Sequence, residues 1–235
     1  MTPELRVIGN NQSRIVIVDG FTGACERIRN LAAGLAPFPP AAGTYYPGLR
    51  RFITPADTAA QAYADDLLQS AAPLINDTYS LNGFDILESS FSMVTRGPET
   101  LSANQRVPHF DDTDPNYLAI LHYLSPTQGR GTAFYRHRAT GIERVTAENV
   151  DALVTLLRLE SPQWPQEGYI NGSNAWFEQI GEIEAVPDRL AIYPGSLLHS
   201  GIIPSDMPLS ADPLMGRLTA NLFIKGRPHW SPRRP

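Results

Sequence analysis

Pro108-His109-Phe110-Asp111 sets an imidazole and a carboxylate two residues apart. In an extended segment side chains alternate, so His109 and Asp111 point to one side and Phe110 to the other. One imidazole and one carboxylate on one face make most of a 2-His-1-carboxylate site, a ligand set that leaves positions open on Fe(II). Alone, His-x-Asp also suits a solvated turn. His199 lies in Tyr193-Pro194-Gly195-Ser196-Leu197-Leu198-His199-Ser200-Gly201, where two apolar strands flank a tight Pro-Gly turn. A lone histidine there also suits a core position with a hydrogen-bond partner. Gly216-Arg217-Leu218-Thr219-Ala220-Asn221-Leu222 alternates, with Arg217, Thr219 and Asn221 on one face. An arginine inside an apolar strand is costly to bury unless it meets an anion. Its planar fork suits a carboxylate through two parallel hydrogen bonds, and a protein Asp or Glu would serve as well as a ligand.

These residues need strands to carry them. Residues 14–21 (RIVIVDGF) read as a buried strand ended by Asp19-Gly20. Residues 22–35 read as a helix with Thr22 as a cap. Residues 36–53, rich in Pro, Gly and Tyr, read as a loop. Residues 54–74 return to helical character, Thr54-Pro55 suiting an N-cap followed by proline. Strands are expected at 85–95, 117–124, 131–138, 189–193, 197–203 and 217–225. Residues 146–159 show helical spacing at Val150, Leu153, Val154 and Leu157, and a second helix is expected over 171–184. The picture is N-terminal helices packed on a β-sandwich or barrel.

Composition bounds the function. The 235 residues suffice for one sizeable core. With 21 Pro and 18 Gly between short apolar runs, a turn-rich β protein is favoured. A net charge of -5 argues against a surface built to hold nucleic acid. No run approaches the roughly 20 apolar residues that span a bilayer, so no membrane partner is expected. Cys25 is the one cysteine, which rules out an internal disulfide and fits a reducing compartment. The first 15 residues hold no apolar core of a secretion signal, so a cytoplasmic location is expected.

The order of pieces resembles a known family. His109-x-Asp111 is followed by Ala119-Ile120-Leu121-His122-Tyr123-Leu124-Ser125, Gly131-Thr132-Ala133-Phe134, Tyr193-Pro194-Gly195, His199 and Gly216-Arg217. It resembles the 2-oxoglutarate/Fe(II)-dependent oxygenase superfamily, nearest its prolyl-4-hydroxylase-like branch, over residues 85–226. Val16-Ile17-Val18-Asp19-Gly20-Phe21 is similar to that branch's first strand. The resemblance implies a mainly β fold with flanking helices (α+β), a double-stranded β-helix of the jelly-roll or cupin-like kind. It implies one oxygenase domain over 1–235: an N-terminal strand and supporting helices to 84, the jelly-roll core over 85–226, and a tail from 227. It implies His109, Asp111 and His199 as Fe(II) ligands, Arg217 on the distal carboxylate of 2-oxoglutarate, and Tyr123 donating to that carboxylate, with Thr219 or Asn221 assisting. It implies a reaction that consumes O2, releases succinate and CO2, and hydroxylates a small molecule, amino acid or peptide. Resembling halogenases replace the carboxylate ligand with a small residue, so Asp111 implies oxygenation. Two departures affect the substrate side: 204–215 carries three prolines between His199 and Arg217, and 146–159 is a helical insertion.

Other readings stay open on these residues. Desaturation or ring formation would use the same iron. A catalytically silent jelly-roll binding a small ligand or a protein would need no such residue set. A Zn(II) hydrolase could use two His and a carboxylate but has no use for Arg217 and Tyr123. His122 is expected in the layer opposite Tyr123, in a structural role. Arg136, His137 and Arg138 are expected as a solvated cluster near the mouth. His229 is expected at the surface, Trp164, Trp176 and Trp230 in packing, and Asp112 and Asp114 in a solvated acidic turn. The oligomeric state is not encoded in any motif.

Overall fold

A computed structural model of the protein describes residues 2–43, 45–126 and 129–228. The strands run in chain order as β1 (Glu4–Ile8), β2 (Ser13–Val18), β3 (Gly48–Phe52), β4 (Leu81–Val94), β5 (Tyr117–Tyr123), β6 (Gly129–His137), β7 (Phe177–Ala185), β8 (Arg189–Pro194), β9 (His199–Gly201) and β10 (Leu218–Pro228). The helices are α1 (Cys25–Ala33), α2 (Thr58–Tyr79) and α3 (Val150–Glu160). Seven strands form one antiparallel sheet in the order β1-β2-β8-β5-β10-β4-β3, and three form a second, β7-β6-β9. The fold is mainly β with flanking helices, two sheets making a jelly-roll.

Alternation on the large sheet decides where each side chain goes. Leu218, Ala220, Leu222 and Ile224 of β10 join Leu118 and Ile120 of β5 and Leu190 and Ile192 of β8 on one face. That face buries α2, whose apolar residues Ala60, Tyr63, Ala64, Leu67, Leu68, Ala71 and Ile75 fall at helical spacing. The opposite face carries Ala119, Tyr123, Ala191, Tyr193 and Phe223, packed on Phe134, Ile183 and Leu197 of the small-sheet side. Arg217, Thr219 and Asn221 belong to this inner side. A third cluster, with Ala133, Tyr135, Leu153, Trp164 and Phe177, lies between the small sheet and α3.

Several local expectations are corrected. The segment 36–53 is not all loop, because 48–52 pairs with β4, Leu49 opposite Met93; the pairing supplies what a sequence without alternation does not show. Residues 171–184 are not helical. The carboxamide of Asn174 accepts the N–H groups of Trp176 and Phe177, and the chain then runs as β7 along β6, burying Phe177, Ile183 and Ala185. Here strand pairing overrides local propensity. Helix α2 starts at Thr58, since the Asp57 carboxylate accepts the Thr54 N–H and hydroxyl and closes a turn first. Thr22 does not cap α1; its hydroxyl donates to Asp188. The 197–203 strand shrinks to 199–201. Of the Arg136-His137-Arg138 cluster only Arg138 is exposed as expected. His137 is buried between Thr140 and Glu160, and Arg136 pairs with Glu143 and Glu178. His229 and Trp230 lie outside the described residues.

Candidate metal centre

His109 and His199 face each other across a short antiparallel bridge, exchanging both backbone hydrogen bonds at 2.9 and 2.8 Å. Two residues on, the Asp111 N–H donates to Gly195 O at 2.7 Å. The Pro-Gly turn that precedes His199 therefore also fixes the carboxylate. Gly195 is required there, since a Cβ would stand 2.5 Å from the Tyr117 ring and 3.2 Å from Asp111 Cβ. Each of His109, Asp111 and His199 offers one ligand atom, and these atoms lie within 4.8 Å of one another.

The donor set fits a divalent cation. The Nδ1 of His199 lies 2.8 Å from Leu197 O, so Nδ1 carries the proton and Nε2 keeps its lone pair toward Asp111 Oδ2 at 3.7 Å. Tyr193 packs edge-on against the His199 ring at 5.1 Å and holds its plane. Asp111 Oδ2 is buried with no hydrogen-bond partner among the described residues, a costly state unless a cation or donor meets it. Burial raises the Asp111 carboxyl above its ordinary value, against the pull of His199 and Arg50. Burial, then His199 and Arg50, hold His109 well below the usual imidazole range. The His109 side chain is 33% exposed, but it lines the cavities described next, not an open surface.

Behind the triad lies a narrow cavity of about 100 Å³ lined by His109, Asp111, Tyr193, His199, Arg217 and Thr219, with Thr132 and Asn221 also in its wall. Arg217 is buried. Its Nη2 donates to Gly131 O at 2.8 Å, and its Nε has no partner. Among the described residues no carboxylate pairs with it. Thr219 donates to Asn221 Oδ1 at 3.2 Å, and Asn221 donates to Ser92 Oγ at 2.8 Å, a chain that fixes the floor. Tyr123 departs from the expectation, because it is not in the wall. Its hydroxyl meets that of Thr132 at 2.7 Å, and Thr132 is the residue the cavity touches. Thr132 and Tyr193 fall within the sequence pieces of the resemblance but have no role assigned by it; Thr132 reaches the cavity from the small sheet, and no sequence spacing announces that approach to Arg217.

A second, larger chamber of about 670 Å³ shares His109 and Asp111 with the first. Arg50 stands at the junction, paired with Glu88 at 3.3 Å, donating to Ser92 and lying 4.9 Å from the Tyr46 ring centre. The outer wall comes from α3 and the residues after it. On the opposite face of the large sheet His122 bridges Tyr63 and Asp188 at 2.7 and 2.8 Å, fully buried and remote from the triad's side.

The two-sheet jelly-roll recurs in solved structures. The protein resembles HygX from Streptomyces hygroscopicus with iron bound, at 15% identity over 95% of this chain and 86% of that one, TM-score 0.52. It also aligns with viral collagen prolyl hydroxylase vCPH from Paramecium Bursaria Chlorella virus-1 (12% identity, 90% and 96% covered, TM-score 0.44). EctD from S. alaskensis with bound Fe aligns too (14%, 98% and 89%, TM-score 0.46). No curated protein matches the sequence. The chain belongs to DUF6445, a family of unknown function whose model matches residues 1–224.

Proposed function

We propose that this protein is a non-haem Fe(II), 2-oxoglutarate-dependent oxygenase, a single domain over 1–235 that hydroxylates a small molecule, amino acid or peptide. The observation that carries the reading is the pairing of two unmet needs in one cavity. Three ligand atoms lie within 4.8 Å of one another, and a buried guanidinium without a protein carboxylate stands in the same wall. A metal satisfies the first and a dicarboxylate the second. A silent binding jelly-roll would need neither.

In this reading His109, Asp111 and His199 hold Fe(II), with His199 kept in the right tautomer by Leu197 O. Arg217 receives the distal carboxylate of 2-oxoglutarate on its guanidinium, Thr132 donates beside it, and the Thr219–Asn221 pair fixes the floor. Tyr123 acts through Thr132 by orienting its hydroxyl. Bound iron with 2-oxoglutarate and O2 supplies an oxidant and releases succinate and CO2. The chain's own work would be to position the cosubstrate's distal carboxylate, to keep His109 and Asp111 accessible from the outer chamber, and to exclude water with Tyr193 and Phe223.

The test is an anaerobic Fe(II) titration followed by 2-oxoglutarate, then succinate release against candidate substrates. One Fe(II) per chain is expected, lost in His109→Ala and His199→Ala while circular dichroism stays unchanged. Full iron occupancy in both variants refutes the assignment.

A further inference from the structure

The outer chamber has a polarity of its own. Its volume of about 670 Å³ is in the range of sites for ring-bearing molecules, roughly 300–1,000 Å³, and generous for a free amino acid. Phe110, Tyr117, Leu157, Leu198 and Phe223 make its walls largely apolar. Its acidic groups are already engaged. Asp111 faces the metal position, and Glu88 is held by Arg50 at 3.3 Å and by the Ser90 hydroxyl at 3.0 Å. Its rim cation is not. Arg158, on the last turn of α3, has no ion-pair partner among the described residues and stands exposed at the rim. Trp164 is 5% exposed and lines the same wall. A short 3-10 helix, Ser161–Gln163, joins the two positions. An amine entering here would have to displace Arg50 from Glu88. An anionic acceptor meets a guanidinium that waits for one.

We propose that this chamber binds the oxygenase's organic substrate, and that the substrate is an apolar-bodied carboxylic acid. Its carboxylate meets Arg158, and its ring body lies against Phe110, Tyr117 and Phe223 with one edge toward His109 and Asp111. The insertion carrying α3 is then the element that sets specificity. This rests on the oxygenase reading for the identity of the bound molecule as substrate, but the binding chemistry can be tested without turnover.

The test uses biphenyl-4-acetate, its primary amide, and the matching biphenyl amine as probes. Binding is measured by calorimetry on the full chain, with and without Fe(II) under anaerobic conditions. The acid is expected to bind about tenfold more tightly than the amide, with the amine weakest, as a charge-assisted pair requires. Excess 2-oxoglutarate should not displace it, which separates this site from Arg217. Arg158→Gln should erase the preference for acid over amide. Arg158 is at the surface, so its variant folds. The proposal is overturned if the amine binds best, if none of the probes binds, if 2-oxoglutarate displaces the acid, or if the acid preference survives Arg158→Gln. Loss of Fe(II) binding with intact acid binding would refute the oxygenase reading alone.

Discussion

Arg217→Met separates a cosubstrate arginine from a structural one by two measurements of opposite sign. The substitution keeps the aliphatic stem and removes the charge. If Arg217 were half of a buried ion pair, breaking it would cost ~3–5 kcal/mol. For a domain of this length that lowers Tm by ~6–20 °C. Among the described residues Arg217 meets no carboxylate, and its hydrogen bond goes to Gly131 O at 2.8 Å. Losing that costs about 1 kcal/mol, and relief of an uncompensated buried charge offsets part of it. Tm measured without ligand should therefore fall by no more than ~4 °C. Affinity for 2-oxoglutarate should fall far more. A hydrogen bond to a charged group contributes ~1.5–3 kcal/mol, so Kd should rise by ~10–150-fold. Arg217→Lys keeps a point charge without the fork and should fall between wild type and Arg217→Met. Thermal melts and calorimetry of the metal-loaded protein give both numbers. A Tm loss above ~10 °C with unchanged 2-oxoglutarate affinity would refute the reasoning.

Two further outcomes follow from local geometry. Gly195→Ala puts a methyl 2.5 Å from the Tyr117 ring and 3.2 Å from Asp111 Cβ, so it should weaken Fe(II) binding by about tenfold through a displaced carboxylate; an unchanged iron titration would show that the turn does not position Asp111. Asp188 accepts bonds from the Thr22 hydroxyl, the N–H groups of Thr22 and Gly23, and His122, which bring its carboxyl down to about 2 against the opposing effect of burial. Its folded pKa lies below its unfolded one, so its contribution is present above about pH 4 and is lost as pH falls toward 2. Asp188→Asn should cost on the order of 1–2 kcal/mol at neutral pH and flatten the acid limb of the stability curve; an unaltered limb in urea melts would remove Asp188 from that role.

The sequence carries the site where the site is local. His109 and Asp111 share a face because an extended segment alternates, and Arg217, Thr219 and Asn221 share one for the same reason; the wall of the narrow cavity contains all five. What it does not carry is set by pairing between distant strands. Phe177–Ala185 has an ambiguous pattern and becomes a strand only because β6 offers an edge. Gly48–Phe52 is a strand only beside β4. Tyr123 and Thr132 are nine residues apart yet sit on different sheets, so their hydrogen bond depends on how the sheets stack. His137 looks solvated between two arginines, but α3 closes over it with Glu160, a contact no local pattern encodes.

The way the ligands are held also separates metal binding from substrate choice. His109 and His199 are fixed by exchanged backbone hydrogen bonds and Asp111 by Gly195 O, all within the strands that close the jelly-roll mouth. None of these contacts passes through α3. The outer wall, by contrast, is built from side chains of Val154, Leu157, Arg158 and Trp164 on an insertion whose packing is against the small sheet's far face. Side-chain changes there alter chamber shape and charge while the ladder that sets ligand spacing stays intact, and effects of sites without shared partners add. Iron affinity should thus be nearly independent of substitutions at Leu157 and Arg158, whereas the preference among organic ligands should follow them.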